Sequence, residues 1–179
     1  MDINEIATIV QDLFLIKETY FPSVFVELDG TDIEVLVIPQ LDEKRYSTPK
    51  CARILFDAGR KFGHKTEKTQ QDVTGLGMAS ISVSQDIHKE GILVAKMGEG
   101  NGLNCTTRFY EVRRDGSEIG VGLLENPFLS GEGMASPFLP AFMMGVVTVR
   151  RYQSASEGRR MLPAILSEYE RIIRGAGML

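Results

Sequence analysis

The stretch that decides the fold is GILVAKMGEGNGLNCTTRFYEVRRDGSEIGVGLL, residues 91–124. It predicts a strand, a glycine loop, a long strand, a tight turn and a further strand. The turn is expected at Asp115-Gly116, because Asp-Gly between two apolar, alternating runs is one of the strongest hairpin signals in a sequence. The stretch therefore predicts a meander of antiparallel sheet, and with it the fold class.

A two-residue loop at Asp115-Gly116 would also fix the register of this hairpin. It predicts these opposed pairs: Arg114 with Ser117, Arg113 with Glu118, Val112 with Ile119, Tyr110 with Val121 and Phe109 with Gly122. On one face, four apolar side chains would form a single patch, and on the other a favourable ion pair would form. The pairs agree with one another, so we expect this register.

An earlier hairpin is expected in residues 24–37, where apolar residues alternate on both sides of Asp29-Gly30-Thr31-Asp32. A two-residue loop would pair Val26 with Ile33, and a four-residue loop would pair it with Val35. Both registers place the same apolar residues on one face of the hairpin, because they differ by two positions. That face is expected to hold Val24, Val26, Leu28, Ile33, Val35 and Val37.

Three helices are expected around these strands. The first covers residues 3–17, which carry an apolar stripe at helical spacing. The second begins at Thr48-Pro49, since proline suits the first helical position, and is expected to end at Gly63. The last begins either with the capping box of residues 154–157 or near Leu162, and ends at Gly175.

The remaining strands complete the predicted architecture. Residues 79–84 alternate strictly, while residues 92–95 are apolar on both faces and suit a central strand. The sequence therefore predicts a single α+β domain over residues 1–179, with an antiparallel sheet of about six strands covered on one face by three helices. This element order resembles that of homodimeric chaperone-like and adaptor α+β domains, a resemblance that implies fold and not function.

The composition excludes several classes of protein. The chain has 179 residues and a formal net charge of -4, which argues against nucleic acid as the main partner. No apolar run reaches the roughly 18 residues of a membrane span, and no signal peptide is visible. Cys51 and Cys105 are expected to be reduced, buried thiols. We therefore expect a cytoplasmic protein.

Motifs for catalysis, metals and cofactors are missing from the sequence. His64 and His88 fall in expected surface loops without ligand spacing, and neither cysteine has an activating group nearby in sequence. The glycines of residues 98–102 precede a strand, whereas a phosphate-binding loop precedes a helix. We expect no cofactor and no metal, and the sequence leaves open whether the protein is an enzyme.

One arginine cluster is a candidate anion site. Arg150, Arg151, Arg159 and Arg160 flank the expected start of the last helix, whose amides could help to hold an anion. Glu157 opposes this interpretation, and a solvated or salt-bridged cluster is the favoured alternative. The corresponding hypothesis is a small enzyme that acts on an anionic substrate, with a site assembled near this helix across a dimer interface.

Residues 126–148 are the strongest candidate for function. They are apolar, with Glu132 as the only charge, and their prolines and glycines argue against a long regular element. A strap over the sheet, a subunit interface and a ligand-pocket lid or membrane-contacting loop are all open. The expected interface residues are Phe138, Phe142, Met143 and Met144. The first hypothesis is therefore a non-enzymatic binding or adaptor protein that acts as a homodimer through its sheet face and this segment, so that its expected partner is a further copy of the chain or another protein.

Overall fold

The computed structural model describes residues 1–17, 20–41, 47–84, 89–98, 103–116, 118–124, 130–151 and 155–175. Its elements, in chain order, are α1 (Ile3–Lys17), β1 (Ser23–Leu28), β2 (Asp32–Val37), α2 (Thr48–Thr69), β3 (Val73–Ser84), β4 (Lys89–Met97), β5 (Asn104–Asp115), β6 (Glu118–Leu124), β7 (Gly131–Ala135), α3 (Phe138–Arg151), α4 (Ala155–Arg159) and α5 (Leu162–Gly175). The α+β class is confirmed, and so are the bounds of α1.

The strands form one antiparallel sheet with the order β2-β1-β3-β4-β5-β6, and β7 pairs with β5. The sheet has seven strands, where about six were expected. The additional strand, β7, lies inside the segment of residues 126–148. As predicted, β4 is central, while β2 stands at one end of the strand order.

Helices cover both faces of the sheet. α1 packs on one face, where Val10 and Phe14 join Phe25 and Ile92 in one buried cluster. α2 and α3 pack on the other face, and α5 packs against those two helices through Leu162. The predicted one-sided covering is therefore wrong. Consecutive residues of β1 are fully buried on alternating sides, which requires apolar cover on both.

The register of the first hairpin differs from both expected registers by one residue. Phe25 is opposite Val35, and Val24 is opposite Leu36. The loop has three residues, and it turns through Asp29 at φ 51° and Gly30 at φ 76°. A one-residue change moves every side chain to the other face. The predicted shared face is therefore wrong, because Val35 lies on the face opposite to that of Val24.

The last hairpin is displaced by one loop position. Asp115 is opposite Glu118 and Val112 is opposite Val121, so the loop starts at Gly116. The predicted pairs are wrong, but the predicted apolar face is retained, since the shift preserves the alternation. The displacement places Gly116, with φ 60°, at the first loop position, where hairpin turns require positive φ.

α2 continues past Gly63, which was expected to end it. Gly59 and Gly63 both face α3, and a Cβ at Gly63 would stand 2.8 Å from the carbonyl oxygen of Val146. A Cβ at Gly59 would collide with the carbonyl group of Phe142. These glycines therefore allow the two helix backbones to approach closely, and they do not end the helix.

α3 is a regular helix of 14 residues in the segment expected to be irregular. Pro140 lies in its first turn, where the missing N–H costs no helical hydrogen bond. Gly145 faces α2, and a Cβ there would collide with the carbonyl oxygen of Phe56. Pro140 is therefore compatible with the start of this helix, and Gly145 allows it to pack closely against α2.

Candidate functional site

The predicted arginine cluster is held by carboxylates of other elements. Arg150, at the end of α3, binds Asp72 at 2.6 Å and also donates to the main-chain carbonyl of Gln71. Arg159, in α4, binds Asp57 on α2 at 2.7 Å. Each of these two guanidinium groups already has an anionic partner, and each contacts a different part of the chain.

Of the other two arginine side chains, the structure describes only one. The side chain of Arg160 is exposed. The side chain of Arg151 lies outside the described part of the structure, as do those of Ser154 and Glu157, which form the expected capping box. The contacts of Arg150 and Arg159 favour a salt-bridged cluster, and the anion site stays a prediction.

The four expected interface residues divide between the core and the surface. Phe142 is completely buried and packs on Phe62, with 6.1 Å between ring centroids. Phe138, Met143 and Met144 are half-buried. Both methionines line a groove of about 380 Å³ between α3 and α5. Phe142 therefore belongs to the core, and an interface formed by the others stays a prediction.

The outer edge of β2 is the first component of a different candidate site. Ile38 donates its N–H to the carbonyl of Pro22 at 2.8 Å, which continues the β1–β2 ladder. Hydrogen bonding alternates along an antiparallel strand, so the main-chain groups of Val35 and Val37 point away from β1. Among the described strands none pairs with this edge. The side chains of Val35 and Val37 are 41% and 55% exposed.

A groove of about 500 Å³ separates this edge from α2. Leu36 and Ile38 line it from the strand side. From the helix side it is lined by Ile54, Ala58 and Phe62, with Lys61 and Lys65 beside them. The groove therefore has a mainly apolar lining, with two ammonium groups and the carboxylate of Asp57 on its helical wall.

α2 concentrates positive charge in an acidic chain. Thr48–Thr69 contains six Lys and Arg residues and two acidic residues, a net charge of +4 against -4 for the whole chain. The exposed basic residues lie on one face of the helix, with Lys50 and Arg53 near its start and Lys61, His64, Lys65 and Lys68 near its end. We call this set the basic stripe.

The charges around the groove are only partly neutralised. Lys65 binds Glu34 of β2 at 2.6 Å, and Asp57 is occupied by Arg159. Lys61 forms no ion pair with any residue in the described ranges. The positive potential at the groove therefore comes mainly from Lys61 and from the rest of the basic stripe.

The sequence contained the signal for this site, but the interpretation missed it. The cations of residues 50–68 recur at helical spacing and stand out against an acidic chain. Because Gly63 predicts the end of the helix, Lys65 and Lys68 fall in an expected loop. The free edge of β2 could not be read from the sequence, since strand order is set by the rest of the fold.

Among the residues that the structure describes, the cysteines and His64 show no arrangement for catalysis. Cys51 and Cys105 are buried and form no disulfide, and burial raises the pKa of the Cys105 thiol to about 11, which keeps it protonated. His64 lies on the exposed face of α2, 3.9 Å from Glu67, and not in a loop. Within the described ranges, no three His, Cys, Asp or Glu residues converge as a metal site would need.

Among the helices that the structure describes, none combines the length and the apolar character needed to cross a membrane. Comparisons with protein-family models, with curated proteins and with solved structures give no match to this chain. A functional assignment therefore rests on the contacts and charges of the chain itself.

Proposed function

We propose that the protein is a non-enzymatic binding protein, an adaptor that takes up an extended acidic segment of a partner protein between β2 and α2. The observation that carries this proposal is the free edge of β2 beside the basic stripe, with an apolar groove between them. The partner supplies one strand, and the sheet gains an eighth.

Main-chain pairing supplies the first part of the recognition. The outward N–H and C=O groups of β2 can bond an added strand irrespective of its side chains. β2 has six residues and so spans roughly 20 Å, which suits a segment of similar length. Alternate side chains of that segment would lie on opposite faces of the sheet.

Charge determines which peptide segments are preferred at this edge. Side chains of the added strand on the α2 face would meet Lys61 and Lys65, and those on the other face would lie beside Val35 and Val37. Asp or Glu alternating with apolar residues matches both surfaces. Each exposed ion pair contributes about 0–1 kcal/mol and weakens with salt, so the pairs select among segments while the main chain and apolar contacts hold them.

A second copy of the chain is a poor occupant of this edge. Antiparallel pairing of two β2 strands would bring two α2 helices together across the joined sheets, each with a net charge of +4. Like charges at such a contact oppose association. The homo-oligomer expected from the sequence stays a proposal, and the α3–α5 groove with Met143 and Met144 is the surface that supports it.

A cytoplasmic location fits this proposal. Cys51 and Cys105 are both buried and form no disulfide, as is usual in a reducing compartment. The alternative function, an enzyme that acts on an anionic substrate, has no comparable support. Arg150 and Arg159 are already paired with Asp72 and Asp57.

Selection from a random 12-residue peptide library against the immobilised full chain tests the proposal. We expect enrichment of sequences that alternate Asp or Glu with Val, Ile or another apolar residue. The double variant Lys61→Glu and Lys65→Glu should lose these sequences. The double variant Arg171→Glu and Arg174→Glu is the matched control, since it makes the same charge change on an exposed part of α5, and it should retain them.

Val35→Pro separates edge pairing from charge attraction. The N–H of Val35 points away from β1, so proline removes a donor at the outer edge and no bond of the β1–β2 ladder. Selected peptides should bind this variant at least tenfold more weakly. Unchanged binding would exclude strand addition, and a single-stranded DNA oligonucleotide that displaces the peptides would point to nucleic acid as the partner.

A further inference from the structure

Glu34 places a negative charge inside the proposed strand-binding site. Val26, opposite it on β1, belongs to the buried cluster on the α2 side, so the Glu34 side chain lies on that face of the sheet. Lys65 of α2 donates to both of its carboxylate oxygens, at 2.6 and 2.7 Å. The Lys65 ammonium group also lies 5.9 Å from the centre of the Phe62 ring. One of the two ammonium groups of the groove is therefore engaged within the chain.

The pair of Glu34 and Lys65 lies at one end of the groove between β2 and α2. On the strand side the lining begins at Leu36, two residues after Glu34, and on the helix side it ends at Lys65. The N–H of Asp29 donates to the carbonyl of Asp72 at 2.9 Å, which ties the end of α2 to the start of β2. Strand and helix therefore run in opposite directions along the groove.

Lys61 stands beside the next strand position on this face. It is four helical residues from Lys65, a rise of about 6 Å. Leu36 is two strand residues from Glu34, a rise of about 6.6 Å. Lys61 and Leu36 are therefore level with each other, and both line the groove. Because Lys61 has no ion-pair partner among the described residues, it can receive a carboxylate of an added strand.

We propose that Glu34 makes the strand-binding edge select one acidic position of the partner segment instead of two. This inference rests on the strand addition proposed at β2, and it specifies which residue of the segment carries the charge selection. A carboxylate opposite Leu36 meets Lys61. A carboxylate opposite Glu34 meets a lysine that is already bound, and like charges directly opposite each other on neighbouring strands are unfavourable. Glu34 therefore competes with the partner segment for Lys65.

The position opposite Ile38 adds no further selection for an acidic side chain. By the same spacing it is level with Asp57, four residues before Lys61 on α2. Ile54 and Ala58 line the groove in the same region. An acidic side chain is therefore selected at the middle one of the three positions on this face.

Amide replacement in a bound peptide tests this role directly. The starting point is a peptide from the library selection in which acidic and apolar residues alternate. Each Glu is changed to Gln, or each Asp to Asn, one at a time, and fluorescence anisotropy at low salt gives the dissociation constants for the full chain. For the wild type, we expect one replacement to weaken binding roughly 2- to 5-fold, and replacements two positions away to have little effect.

Glu34→Gln keeps the shape of the side chain and removes its charge, which leaves Lys65 available. This variant should bind the starting peptide roughly 2- to 5-fold more tightly than the wild type, and a second replacement, two positions from the first, should now weaken binding. Adding Lys65→Gln to Glu34→Gln should remove both effects. Glu168→Gln is the matched control, since it removes the same charge and frees Arg171 from an exposed ion pair on α5, and it should bind as the wild type does.

Two results would overturn the role of Glu34 while strand addition stands. One is a wild-type chain that is equally sensitive to replacement at two acidic positions two residues apart. The other is a Glu34→Gln variant with the same single sensitive position and the same affinity as the wild type. Peptide binding that Val35→Pro leaves unchanged would instead exclude strand addition itself, and the role of Glu34 with it.

Discussion

The two long sides of α2 differ in how tightly they are packed. On the side that faces α3, Gly59 and Gly63 bring the backbones so close that no side chain fits between them. On the side that faces β2, Ala58, Lys61 and Lys65 border a groove of about 500 Å³. On the α3 side, close packing therefore leaves no room for a ligand, while the β2 side has room for a partner.

The largest effect is expected from Gly59→Ala. The added Cβ would collide with the carbonyl group of Phe142, and neither backbone can yield without separating the helices. We expect a loss of about 3 kcal/mol or more in the free energy of unfolding, measured by urea denaturation. Gly175→Ala, at the open end of α5, should change stability little. Equal stability of Gly59→Ala and the wild type would show that the helices are not in this close contact.

Phe142→Ala should have the next largest effect. The ring is completely buried between α2 and the sheet, so its removal leaves a cavity and should cost about 3–5 kcal/mol. Met143→Ala, one residue further and half-buried, should cost clearly less. Thermal melts of both variants provide the measurement, and equal losses would contradict the assignment of Phe142 to the core.

Met143→Lys tests the surface of the same helix. Because Met143 lines the α3–α5 groove, a lysine there should leave the chain folded and reduce any self-association through that groove. Size-exclusion chromatography and a melting curve report the two properties separately. An unchanged elution volume would remove this groove as the interface of the proposed homo-oligomer.

The sequence predicted the features of α2 that depend on local signals, but not those that depend on distant contacts. Local signals were sufficient for the bounds of α1 and for the start of α2, where Ser47 and Pro49 flank the first turn. The end of α2 was not predictable in this way. Gly63 carries a local signal for a helix end, but its role is set by Val146, which is distant in sequence.

The hairpins show the same limit. Both turns lie within one residue of their predicted positions, but each register depended on which residue takes positive φ, and a difference of one residue inverted the faces of β2. The candidate site is affected directly, because the exposure of Val35 and Val37 follows from that register. The cations of α2 were visible in the sequence, whereas the groove beside them depends on strand order.

The smallest change in stability is expected on the β2 side of α2. Lys61→Ala removes an exposed side chain without an ion pair to any described residue, and should alter the free energy of unfolding by no more than about 0.5 kcal/mol. Lys65→Ala breaks the pair with Glu34 and should cost about 0–1 kcal/mol, less at high salt.

The losses of peptide affinity in these two variants should have the opposite order from their losses of stability. Lys61 has no described acidic partner, so its positive charge is available to an acidic peptide, whereas Glu34 already offsets that of Lys65. Lys61→Ala should therefore weaken a selected acidic peptide more than Lys65→Ala does, and the gap should narrow as salt is raised. Titrations by fluorescence anisotropy at low and high salt measure both effects. If Lys65→Ala weakens binding more, the peptide contacts Lys65 in place of Glu34, and the groove is occupied closer to the strand than proposed.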